Sequence, residues 1–169
     1  MAFSLFKGRR VLPAERRPAL EREERVLAWA PTGEDTVVAT NLGLWWGGVR
    51  TGWHRIDKAA WDGEVLVVTP ATVADERAGY EVVADAPPVR LPLTDPDHLP
   101  HQVQLRVTGS VRHPMHHDVP GGGLWVFARR VPGQDGLVWT VRYDEGTDPD
   151  DPAVTAATDQ LVAAARNDL

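Results

Sequence analysis

Cysteine is absent from the 169 residues, which excludes disulfides, zinc–thiolate centres and thiol nucleophiles. Serine is scarce: Ser4 and Ser110 are the only two. Ser110 lies near His113 but no nucleophile elbow surrounds it, so the chain is not expected to be a serine hydrolase. No apolar run approaches the roughly 20 residues that a membrane helix requires. The opening MAFSLFKGRR places its charges after its apolar residues, the reverse of a secretion signal. Ala2 stands where myristoylation demands glycine. These absences lead to the expectation of a cytoplasmic protein.

Positive charge is also in short supply over most of the chain. The net charge is −6, yet residues 1–25 hold seven basic and four acidic side chains, so the remainder carries −9. Phosphate backbones require a basic surface, and nucleic acid is therefore excluded as a partner on the sign of the charge. Pro120-Gly-Gly-Gly123 lacks the Lys and Ser/Thr of a phosphate loop and leads into strand-forming residues, so it reads as a flexible connection.

What is present is a succession of short strands. TVVAT, GLWWGG, WHRIDKAAW and EVLVV follow one another between Asp35 and Thr69, separated by Asn-Leu-Gly, Gly-Gly and Asp-Gly turn chemistry. Arg25–Ala30 precedes them as a first strand, with Pro31–Asp35 as the loop after it. Ala71–Gly79 reads as a polar loop, and Tyr80–Ala84 and Val89–Leu93 as weaker strands, the second an edge because of its prolines. In Gln102–Val111, Val103, Leu105 and Val107 alternate with polar residues, and three valines, a threonine and Gly109 disfavour a helix. The same valines recur every fourth residue, as on a helical face, but the alternation predicts a strand. Leu124–Val131 and Leu137–Asp144 form a hairpin. Asp151-Pro152 opens a helix over 152–166 with one apolar face. Residues 1–23, interrupted by Pro13 and Pro18, read as a flexible or loosely docked arm, and 24–169 as a single domain.

The run of short antiparallel strands ending in one amphipathic helix resembles a pleckstrin-homology-like (PH-like) domain of the bacterial kind. RVLAWA (25–30), VVATNLGLWW (37–46) and WHRIDKAAWDGEVLVVT (53–69) carry the resemblance, with Thr40, Asn41 and Leu42 at its strand–turn–strand and Ile56 as its inward aliphatic residue. Sixteen Arg against two Lys is compatible with a high-GC, actinobacterial type of origin. The resemblance implies a mainly β, α+β fold: a partly open antiparallel barrel of about seven to nine strands capped by the C-terminal helix. It implies non-enzymatic binding of a protein, peptide or membrane surface, and no cofactor. The family has seven strands before its helix, so either Tyr80–Ala84 or Val89–Leu93 lies outside the barrel or the chain carries an insertion. The family's phosphoinositide binders carry basic residues around the loop joining the first two strands. Here that loop, Pro31–Asp35, is acidic, which argues against headgroup binding there.

Three groups of residues are candidate sites. Trp45, Trp46, Trp53 and Trp61 hold four of the seven tryptophans; they pack the core or form an aromatic patch for a partner. Phe3, Leu5, Phe6, Lys7, Arg9 and Arg10 would make a weak peripheral membrane foot. His98, His101, His113, His116 and His117 are the only set with metal-ligand chemistry, and they define the alternative of a metal-dependent enzyme. An uncovered strand edge would further allow a homodimer.

Overall fold

The computed structural model describes residues 10–169. Their chain forms eleven strands and two α-helices arranged around two adjoining hydrophobic cores. The first four strands, β1 (Val26–Thr32), β2 (Asp35–Thr40), β3 (Gly43–Trp46) and β4 (Val49–Gly52), make an antiparallel meander. Asp35–Thr40 is buried from Thr36 onward, which is why TVVAT reads as a continuous apolar run. The β3–β4 connection is Gly47-Gly48, both at positive φ (60° and 77°). Glycine takes that conformation without the Cβ penalty, so a two-residue hairpin turn closes here. The resulting β4 was not legible as a separate strand.

A single 3-10 turn, Trp53–Arg55, leads into β5 (Ile56–Trp61), so WHRIDKAAW is a turn and a strand where one strand was expected. β6 (Val65–Arg77) has 13 residues, more than twice the length of the predicted EVLVV. Its first half pairs with β5 on one side and with β8 (Val89–Pro92) on the other. Its second half, through the segment predicted to be a loop, pairs with β7 (Tyr80–Asp85). The polar sequence of Ala71–Gly79 misleads because this half of the strand is largely exposed.

After β8 comes the main departure from the sequence reading. Gln102–Val111 is not a strand: Leu99–Ser110 forms helix α1. Leu99, Val103 and Val107 are buried in the first core, while Leu105, which the alternation placed beside them, is 53% exposed. Pro100 sits in the first turn, where a missing N–H costs nothing. Burial of the i, i+4, i+8 stripe against β5, β1 and β2 overrides the low helix propensity of the valines.

The chain then builds a second unit. β9 (Val111–Val119), β10 (Gly122–Arg130) and β11 (Leu137–Tyr143) form a meander that joins β7 through β11. The sheet so formed has seven strands and curls into an open half-barrel. All its pairings are antiparallel except β7–β11, which run parallel. The C-terminal helix α2 (Pro152–Asn167) starts where expected, with the Asp151 side chain accepting from the Ala153 N–H at 2.8 Å. Val154 and Val162 bury its apolar face against Leu124, Val126, Val141 and Tyr80. The fold is mainly β with a C-terminal helix, as expected. The first core, however, is closed by α1, and α2 serves the second.

Residues 10–25 lie along the first sheet. The Glu24 carboxylate is wholly buried and accepts from the Thr40 hydroxyl (2.7 Å), the Trp45 indole (2.9 Å), Arg50 (2.8 Å) and the Glu21 N–H (3.0 Å). Burial pushes its pKa up, and those four donors outweigh burial and hold it below the usual carboxylate range. No helix among the described residues is long and apolar enough to cross a membrane.

Candidate functional site

The site is assembled at the junction of the two units. In β10, successive side chains alternate, so Arg129 points inward and Arg130 outward. The Arg129 guanidinium is buried and donates to Ser110 Oγ at 2.6 Å and to the Ile56 carbonyl at 3.2 Å. It therefore ties β10 to the end of α1 and the start of β5. Burial lowers the Arg129 pKa, partly offset by Asp57 at 4.0 Å; an arginine stays charged in such a place.

Beside this tie, α1 presents Gln102, Leu105, Arg106 and Gly109, spaced i, i+3, i+4, i+7 and thus on one stripe. They face Arg130, Pro132 and Gly133 across an open cleft of about 640 Å³, floored by Trp53 and the last turn of α1. Arg112 and Arg130 also line a second, neighbouring hollow of about 310 Å³, with His113, Gln134, Asp135 and Leu137. Arg112 is held at the boundary because it caps the helix end, donating to the carbonyls of Gly109 and Val111. A cation is favoured there by the helix dipole.

The lining of this cleft holds three arginines and no carboxylate. Several arginines elsewhere meet carboxylates: Arg50 with Glu24, Arg55 with Glu81, Arg77 with Asp75, Arg142 with Asp57 and Asp85. Among the described residues, none of Arg106, Arg112 and Arg130 has a carboxylate within 4 Å. In an acidic protein, three guanidiniums lining one cleft, with Asp135 the one carboxylate lining the neighbouring hollow, form a local positive site.

The sequence-predicted residues are placed otherwise. Trp53 is 2% exposed, with its indole N–H on the Thr40 carbonyl at 2.9 Å, and only its edge reaches the cleft. Trp46 and Trp61 pack partly buried on the first core. Trp45 is half-buried at the Glu24 clamp, where the Arg50 guanidinium stacks 5.8 Å from its ring centre. Trp45 and Trp46 line one hollow of about 210 Å³, whose lining does not include Trp53 or Trp61, so among the described residues the four do not share a single surface. Of the membrane foot, Phe3, Leu5, Phe6, Lys7 and Arg9 lie outside the described residues. Arg10 stacks 4.1 Å over Trp29, donates to the Trp29 carbonyl and pairs with Asp95 at 2.8 Å. Its charge is engaged inside the fold.

The histidines divide by element. His98 precedes α1 and His101 lies on it, whereas His113, His116 and His117 lie on β9. His116 bonds Asp144 at 2.6 Å and meets Trp125 edge-on at 5.1 Å. Among the described residues no three His, Asp or Glu side chains converge as metal ligands. His54, not singled out from sequence, is the more unusual one. Its Nδ1 is buried with no partner beside a void of about 10 Å³, and burial followed by Arg55 and Arg129 lowers its pKa.

The arginines of the cleft were missed because they are distant in sequence and unremarkable singly. The Arg129-Arg130 pair near a predicted strand end was the available signal, whereas Arg112 follows a segment whose helix the alternation concealed. Comparison with known proteins leaves the chain on its own: no family model, no curated protein and no solved structure matches it.

Proposed function

We propose that this protein is a non-enzymatic binding module that takes an anionic segment of a partner protein into the cleft between α1 and β10. The observation that carries this reading is that Arg106, Arg112 and Arg130 line one cleft whose lining contains no carboxylate. Guanidinium forks match the planar geometry of oxyanions and bind them with charge-assisted hydrogen bonds. Exposed Leu105 and partly buried Pro132 give the same cleft apolar contacts for neighbouring residues of a segment. The seam between two packed units is also a common location for ligands.

The order of elements supports the PH-like reading of the first unit. Strands β1 to β5, the first half of β6, and β8 make seven before α1 closes their core. The extended β6–β7 hairpin is then the insertion that the strand count required, and it is the piece on which β9–β11 and α2 build. In this reading the binding face is formed jointly by the closing helix and the added unit.

The test is fluorescence anisotropy with degenerate peptide pools that are anionic, neutral or cationic. The anionic pools bind, binding weakens with salt, and the Arg106→Gln/Arg130→Gln double variant loses it. Equal binding of neutral and anionic pools defeats the proposal.

A further inference from the structure

The number of guanidiniums narrows the ligand, on the reading just given. One carboxylate has two oxygens and a single charge, and one bidentate arginine satisfies it. The cleft offers three arginines against Asp135, a surplus of two positive charges. A phosphoryl monoester carries about −1.5 to −2 charge and three acceptor oxygens, which matches that surplus. We propose that the cleft recognises a phosphorylated side chain within an extended segment of the partner protein.

Three features of the site agree with this ligand. Arg112 is pre-positioned by its bonds to the Gly109 and Val111 carbonyls, so little side-chain freedom is lost when an anion arrives. Arg129, buried behind Ser110, adds positive potential without being exposed itself. Two hollows share Arg112 and Arg130 in their linings, which leaves room beside those arginines for neighbouring residues of the segment. A phospholipid surface fits less well. The body of the chain is acidic, so a broad anionic membrane is repelled while one recessed dianion needs only local charge.

The experiment uses the full chain and four probes: pools of octapeptides with degenerate flanks centred on phosphoserine, phosphothreonine or phosphotyrosine; the same pools centred on glutamate; the same centred on serine; and vesicles containing phosphatidic acid. At least one phosphorylated pool is expected to bind tenfold or more tightly than the glutamate pool, and the serine pool to be weakest. Arg106→Gln and Arg130→Gln should each cost at least tenfold, with far-UV dichroism and melting unchanged. Arg166→Gln, on α2, should cost nothing. If the glutamate pool binds as tightly as every phosphorylated one, the phosphoryl inference falls and the anionic-segment reading stands. If no peptide pool exceeds the serine pool, both fall, and binding to vesicles alone would make the ligand a lipid. An Arg166→Gln loss equal to that of Arg130→Gln would also overturn the site.

Discussion

The guanidinium of Arg129 stands 2.6 Å from the hydroxyl of Ser110, and this bond joins the strand meander of the second unit to the helix that closes the first. Ser110 also donates to the Val107 carbonyl at 2.8 Å, so the hydroxyl is both acceptor and donor in a buried place. Ser110→Ala leaves a buried charge short of one acceptor, and the expected cost is about 1–3 kcal/mol. Arg129→Met removes the charge altogether and should restore part of that loss in the Ser110→Ala background. Urea denaturation of the two single variants and the double variant checks this, through a coupling energy clearly different from zero.

Helix α1 makes opposite demands on two leucines six residues apart. Leu99 is fully buried and Leu105 is 53% exposed. Leu99→Ala should cost roughly 2–5 kcal/mol, and Leu105→Ala no more than about 0.5 kcal/mol. A strand with Val103, Leu105 and Val107 on one face would make Leu105→Ala severe. Thermal melting of both variants decides between the two.

The Glu24 clamp is a buried carboxylate with four donors. Glu24→Ala leaves the Trp45 indole and the Glu21 N–H without their acceptor and Arg50 with Glu21 alone, and should destabilise by about 1–3 kcal/mol. Because the folded pKa lies below the ordinary value of 4.5, this contribution is complete above pH 4.5 and is lost as pH falls through the folded value. Acid titration of wild type and Glu24→Gln, followed by near-UV dichroism, should show a steeper loss below pH 4.5 in the wild type.

His54 sets a second slope at milder pH. Its folded pKa is lowered from 6.5 by burial, then by Arg55 and Arg129. The unfolded chain therefore binds more protons below pH 6.5, and stability falls as pH drops through that window. His54→Gln should flatten the dependence of the urea midpoint on pH near and below 6.5. An unchanged slope would mean that His54 accepts its proton without cost.

Turn chemistry supplies a smaller effect. Gly47→Ala and Gly48→Ala place a Cβ at φ 60° and 77°, with open space around each. Strain alone should cost about 1 kcal/mol apiece, read as a drop in melting temperature.

Local rules decided much of this molecule from sequence alone. Asp151-Pro152 and the spacing of Val154, Ala157 and Leu161 define α2 without reference to anything else, because a cap and a 3.6-residue stripe are properties of contiguous residues. The β10–β11 hairpin and the edge position of Val89–Pro92 are of the same kind, as is the exclusion of thiol chemistry. Tertiary structure decided the rest. Val103, Leu105 and Val107 satisfy both periods, and only the core beneath Leu99 and Val103 selects the helix. The polar half of β6 is a strand because β7 pairs with it. The cleft belongs wholly to this second category: Arg106, Arg112 and Arg130 come from a helix, its cap and a strand end. They meet because Arg129 and Ser110 hold two units together, and burial of that contact is a property of the folded chain that no local window contains.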